Sequence, residues 1–88
     1  MPKHYSIRYT ESASRSLKQL ERGTQARITA RILALADNPC PPGTRKIKGE
    51  EHAYRIRIGD YRVVYDVLED VLVVLVLRIG HRKDVYRS

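Results

Sequence analysis

Arg55, Arg57 and Arg62 have the residue type and spacing to bind phosphate. Alternation along a strand puts Arg55 and Arg57 on one side. A two-residue hairpin at Gly59-Asp60 sets Ile58 opposite Tyr61 and Arg57 opposite Arg62, on that same side. Guanidinium groups are planar, multidentate and always charged, which matches phosphate oxygens. A like-charged cross-strand pair costs about 0.2 to 1 kcal/mol, and a bound anion offsets that cost. One arginine stretched over the wet face of a strand is ordinary. Three on one face, with no acidic residue among them, point to phosphate. A second group follows in Gly80-His81-Arg82-Lys83-Asp84-Val85-Tyr86-Arg87. A short, charged, terminal stretch reads plainly as a frayed tail. It nevertheless holds His81, Arg82 and Tyr86, which can move protons and bind phosphate. His4 and His52 have no such company and read as surface residues.

The elements that position these groups follow from periodicity. Residues 5–9 alternate apolar and polar, as a half-buried strand does. Thr10 caps a helix carrying Ala13, Leu17 and Leu20, with Glu11 in its first turn and Gly23 as its stop. Thr24 caps a second helix with a stripe of Ile28, Ile32, Leu35 and Ala36. The short connection predicts an antiparallel helix hairpin. Residues 39–45, with three prolines and a glycine, exclude regular structure. Lys46-Ile47-Lys48-Gly49 alternates briefly and turns. Strands are then expected at Tyr54–Ile58, Tyr61–Leu68 and Val71–Ile79, the last two joined by Glu69-Asp70. That loop sets Leu68 opposite Val71 and Arg62 opposite Leu77.

The register defines two faces. One carries Tyr54, Ile56, Ile58, Tyr61, Val63, Tyr65, Val67, Leu72, Val74 and Val76 and receives the helices. The other carries the arginines, then Val64, Asp66, Val71, Val73, Leu75, Leu77 and Ile79. Its apolar half calls for a cover, either the chain's own tail or a partner. The fold class is α+β: an N-terminal strand, a two-helix hairpin, then a three-stranded antiparallel meander forming one sheet with the helices on one face.

The chain has 88 residues, enough for one small domain, 42% of them hydrophobic and 31% charged. Its 17 Lys and Arg against 10 Asp and Glu leave a net charge of +7, which favours a polyanion or an acidic protein as partner. The single cysteine, Cys40 between two prolines, excludes an internal disulfide and fits a reducing compartment. No Cys/His cluster has zinc spacing. The N-terminal residues 1–5 lack the apolar run of a signal peptide, and the longest apolar stretch, Val71 to Leu77, is too short to span a bilayer, so a cytoplasmic location is expected.

Three strings carry a family resemblance: residues 46–49 (Lys-Ile-Lys-Gly), 54–65 (Tyr-Arg-Ile-Arg-Ile-Gly-Asp-Tyr-Arg-Val-Val-Tyr) and 79–87 (Ile-Gly-His-Arg-Lys-Asp-Val-Tyr-Arg). With the order of elements, they resemble the RelE branch of the RelE/ParE toxin superfamily. The resemblance implies one RelE-like toxin domain over residues 1–88. It implies a ribosome-dependent messenger RNA endonuclease, neutralised by a RelB-like antitoxin in a higher-order hetero-oligomer. No metal, cofactor or membrane is called for. The family's tandem basic pair matches Arg55 and Arg57, and the arginine of its Gly-Tyr-Arg string matches Arg62, here preceded by Asp60-Tyr61. Its terminal arginine and tyrosine match Arg82 and Tyr86. Many strongly cleaving members have lysines at the paired positions, where this chain has arginines. The step from Arg82 to Tyr86 is shorter than in some members.

The chemistry implied is attack of a ribose 2′-hydroxyl on the adjacent phosphate, leaving a 2′,3′-cyclic phosphate and a free 5′-hydroxyl. Arg55, Arg57 and Arg62 would position the backbone and hold the developing charge. Proton transfer falls to His81 or Tyr86, because a guanidinium does not give up its proton. Lys46, Lys48 and Lys83 are expected to touch RNA. Two rival readings share the fold: a ParE-like gyrase poison, and a catalytically inactive relative.

Overall fold

A computed structural model describes residues 4–81. Its elements are β1 (Ser6–Tyr9), α1 (Glu11–Lys18), α2 (Arg22–Ala34), β2 (Arg45–Lys46), β3 (Ala53–Ile58), β4 (Tyr61–Leu68) and β5 (Val73–His81). Arg82, Lys83 and Tyr86 lie outside the described residues. The architecture is α+β. The five strands form one sheet in the order β1-β5-β4-β3-β2, with β1 parallel to β5 and every other pair antiparallel. The meander is therefore extended at both edges: β1 joins one side, and the two-residue β2 joins the other. So short a strand carries no periodic signal, and Arg45, expected to be irregular, is part of it. Among the described residues no helix is long and apolar enough to cross a membrane.

The core lies between the helices and one sheet face. Ala13 of α1 and Ile28 and Ile32 of α2 meet Ile56, Ile58, Val63, Tyr65, Val67, Val74, Val76 and Ile79, all buried. Leu17 and Leu20 pack against this cluster. Leu35 and Ala36 continue the stripe just past α2 and are also buried. The Tyr5 amide donates to the Ala36 carbonyl at 2.8 Å, so the helix pair returns the chain to where β1 began.

The helix boundaries differ from expectation. α1 ends at Lys18, and Gln19 and Leu20 close a tight turn by donating to Ser16 and Leu17 carbonyls, each at 3.2 Å. Leu20, held against the core, fixes that turn. α2 then starts at Arg22, ahead of Gly23 and Thr24, with Glu21 in the cap position and no side-chain cap bond. Gly23 is thus neither a stop nor the end of a helix, and Thr24 is not a cap.

The Gly59-Asp60 hairpin has the expected register, Ile58 opposite Tyr61 and Arg57 opposite Arg62, with Gly59 at φ 62°. The next hairpin does not. Leu68 pairs with Val73, so the loop spans Glu69 to Leu72, and Leu72 takes a left-handed φ of 53°. Val71 consequently sits on an exposed loop rather than on the sheet. Farther along, Tyr65 pairs with Val76 while Val64 pairs with Arg78, so Leu77 is an extra residue in β5. This β-bulge reverses the phase of all that follows. Ile79 faces the core, opposite Val63, and Arg62 lies opposite Gly80 instead of Leu77.

Thr10 secures the bulge. Its amide donates to the Val76 carbonyl at 2.9 Å, and its hydroxyl donates to the Leu77 carbonyl at 2.9 Å. The same oxygen accepts from the Ala13 amide at 3.1 Å and so caps α1. Thr10→Val should therefore cost about 2 kcal/mol, combining a lost cap with an unpaired carbonyl. Thr10→Ser should keep most of the stability. Urea midpoints for the two variants check this, and equal midpoints would remove the hydroxyl from the account.

Candidate functional site

The far face of the sheet gathers the arginines in two rows. Arg45 lies opposite Arg55, Arg55 opposite Val64, and Val64 opposite Arg78. One pair along, Arg57 lies opposite Arg62, which lies opposite Gly80. Residues opposite one another share a face, so Arg45, Arg55, Arg57, Arg62 and Arg78 all stand on this side. An open cavity of about 370 Å³ sits among them, lined by Pro42, Gly43, Arg45, Arg55, Ile56, Arg57 and Arg62. Arg55 and Arg62 are half-buried, and Arg62 Nε is fully covered. Arg57 is exposed, and its Nε donates to the Gly59 carbonyl at 3.0 Å. Among the described residues one carboxylate shares the face: Asp66 is opposite Ala53 and diagonal to Arg55, and Arg8 stands in the same row beyond Leu75.

Arg45 and Arg78 escaped the sequence reading. Arg45 adjoins a proline-rich stretch and enters a strand of two residues. Arg78 had a usable signal. Strict alternation from Val76 would aim it into the apolar face, a conflict that only a bulge resolves. The apolar half of this side, Val64, Val73, Leu75 and Leu77, is half-buried.

His81 does not join the arginines. It pairs with Tyr61, whose ring packs against the core, and the two rings meet edge-on with centroids 5.6 Å apart. The bulge is the reason, because it turns Gly80 toward the arginines and His81 toward the helix side. Lys46 lies opposite Tyr54 on that same helix side and lines a separate cavity of about 320 Å³ with Glu51, His52 and Glu69. Lys48 sits in an exposed turn. Neither lysine reaches the arginine cavity.

The cavity wall comes from residues 38–44, which cross the sheet edge before β2. Pro41 to Thr44 form a turn closed by the Thr44 amide on the Pro41 carbonyl at 3.1 Å, with Gly43 at φ 93°. Proline then glycine at the centre is what a type II turn requires. On the core side the Tyr65 hydroxyl donates to the Pro39 carbonyl at 2.6 Å, and Thr44 Oγ1 stands 3.5 Å from it. Burial pushes the Tyr65 phenol up to about 12.

Comparison with known proteins fits this architecture. The family profile of ParE toxins of type II toxin–antitoxin systems matches residues 7–86. Toxin RelG of Mycobacterium tuberculosis is 30% identical over 88 residues, covering 94% of this chain and 97% of that protein. The toxin–antitoxin complex RelBE2 of the same organism contains a chain with TM-score 0.81 at 25% identity, over 93% of this chain and 95% of that one. A chain of the archaeal RelE–RelB complex of Pyrococcus horikoshii gives 0.80 at 26% identity, over 90% and 96%. The protein belongs to the RelE/ParE superfamily as a RelE-type toxin. Of the expected catalytic residues, Arg55, Arg57 and Arg62 meet at the cavity and His81 stands apart. Arg82, Lys83 and Tyr86 fall outside the described residues.

Two tests follow from this geometry. If the RelE-type arginine cluster is an anion site, inorganic phosphate should raise the melting temperature, since a ligand of the folded state stabilises it by mass action. Arg62→Ala should abolish the rise, and an equal rise in that variant would count against the site. Tyr65 sets a pH dependence. Its folded value lies above the ordinary 10, so its contribution is complete below pH 10 and is lost as pH climbs from 10 through about 12. Alkaline melting curves should be flatter in that window for Tyr65→Phe than for the unaltered protein.

Proposed function

We propose that this protein is a ribosome-dependent messenger RNA endonuclease, a translation-inhibiting toxin of the cytoplasm neutralised by a RelB-like antitoxin. One observation carries the reading: Arg55, Arg57 and Arg62 meet with Arg45 around a single open cavity. Such a site suits the charge of a phosphodiester in reaction. A 2′-hydroxyl attacks the adjacent phosphorus, the 5′-oxygen leaves and takes up a proton, and the product is a 2′,3′-cyclic phosphate. Negative charge grows on the non-bridging oxygens, and fixed guanidinium groups stabilise it without reorganising. Arg62, half-buried and central between Arg57 and Gly80, is assigned the transition-state charge. Arg55 and Arg57 hold the backbone.

Guanidinium groups do not accept the 2′-hydroxyl proton. His81 faces Tyr61 on the other side, so proton transfer is assigned to Tyr86, and Arg82 is assigned to phosphate charge. Lys48 and Lys83 are assigned to RNA binding. The partner is inferred from the relatives in RelB–RelE complexes, and a higher-order hetero-oligomer is the expected resting form. The net charge of +7 would draw both ribosomal RNA and an acidic antitoxin segment.

Induction without antitoxin, followed by primer-extension mapping of message 5′ ends, tests the proposal. Cuts inside translated regions should appear with the unaltered protein, and Arg62→Ala should lower them at least a hundredfold, the usual scale for losing a preorganised charge partner. Growth arrest with intact messages would transfer the reading to a gyrase poison. No arrest would mark an inactive relative.

A further inference from the structure

The segment before β2 has an unusual backbone. Pro39, Pro41 and Pro42 carry no amide hydrogen, so the stretch has few donors with which to hold itself against the sheet. Its own bonds are local: the Cys40 amide to Asn38 Oδ1 at 3.2 Å, and the Thr44 amide to the Pro41 carbonyl. Among the described residues, the Tyr65 hydroxyl ties the segment across the sheet edge, at 2.6 Å from the Pro39 carbonyl and 3.5 Å from Thr44 Oγ1. One oxygen thus meets the segment at Pro39, ahead of the turn, and at Thr44, the turn's last residue. The tip of that turn, Pro42 and Gly43, lines the arginine cavity, and Arg45 follows directly opposite Arg55. Tyr65 itself is fully buried in β4, and its ring stacks on Tyr54 at 6.1 Å.

A phenylalanine would fill this place in the core as well as tyrosine does. A buried hydroxyl costs free energy unless it is paired, and here its partner belongs to the loop rather than to the core. We propose that Tyr65 is a positioning residue for the arginine cavity: its hydroxyl fixes the Pro41–Thr44 wall and the entry of Arg45 beside Arg55. The inference rests on reading that cavity as an RNA phosphate site. Tyr65 touches no RNA. It acts through the loop carbonyl on the wall and on Arg45.

The test uses the full chain and a short fluorescent oligouridylate, titrated at several salt concentrations. Four proteins are compared: unaltered, Tyr65→Phe, Arg45→Ala and the double variant, with Arg62→Ala as reference. Tyr65→Phe should weaken binding about tenfold, the scale of one net hydrogen bond. It should also lower the slope of log affinity against log salt by about one phosphate contact, as Arg45→Ala does. The two substitutions should not add, because both remove the same contact. Message cleavage at saturating ribosomes should keep its kcat in Tyr65→Phe while KM rises. General loosening of the fold would lower kcat and leave the salt slope alone. Unaltered affinity in Tyr65→Phe, or full additivity with Arg45→Ala, would overturn the positioning role while Arg62→Ala still reports on the cavity. Equal binding by the unaltered protein and Arg62→Ala, or no binding by either, would overturn the RNA reading and this inference with it.

Discussion

The geometry of this protein turns on the place where Thr10 meets β5. An extra residue in a strand leaves a carbonyl without its ladder partner, and Leu77 is that residue. The Thr10 hydroxyl takes the orphaned carbonyl, and the same oxygen closes the first turn of α1. One side chain thus joins the helix layer to the phase of the last strand. Without the bulge, Arg78 would aim into the helices and Ile79 into water. With it, Ile79 completes the core, Gly80 lies opposite Arg62, and His81 turns to Tyr61.

That phase decides the electrostatics of the far side. Among the described residues, five arginines occupy two adjacent rows of the sheet, and the next row adds Arg8 and one carboxylate, Asp66, on the same face. Direct cross-strand pairs of like charge occur twice, Arg45 with Arg55 and Arg57 with Arg62. Such pairs oppose folding by about 0.2 to 1 kcal/mol each. The hydrophobic core on the opposite face carries this cost, since every buried Ile or Val contributes about 1.5 to 3 kcal/mol. Arg57 relieves part of it by turning its Nε to the Gly59 carbonyl. A phosphate bound in the cavity, as the proposed function requires, would relieve more.

Local signals were legible and long-range ones were not. Gly59-Asp60 specifies its turn by residue type alone, and the pairing of Arg57 with Arg62 followed at once. Thr10 as a cap and the stripe from Ile28 to Ala36 also followed from type and spacing. Glu69-Asp70 misled because the actual loop runs on to Leu72, a non-glycine residue held at positive φ, and such positions carry no compositional mark. The bulge at Leu77 has neither glycine nor proline. Its trace in the sequence is a charged residue, Arg78, where strict alternation demands an apolar one. The consequences were unequal. Arg55, Arg57 and Arg62 precede the bulge, and their shared face was readable. His81 and Arg78 follow it, and both lie on the side opposite to the one alternation gave.

The two sides of the sheet are nonetheless not independent. The residues that line the cavity come from β2, β3, β4 and a loop that reaches round the edge, and the loop is held from the core side. A chain rich in proline keeps its shape cheaply, since little conformational entropy is lost on ordering it, but it cannot anchor itself. A buried phenol solves both parts of that problem. Its ring contributes apolar packing, and its hydroxyl finds the carbonyl that the loop's missing amides cannot satisfy. The hydroxyl keeps its proton until well above neutral pH, so the anchor does not titrate across the range in which a toxin works. Core packing at Tyr65 and charge placement at Arg45 are in this way one structural decision, made by a residue three positions from Arg62 in sequence and on the other face of the same strand.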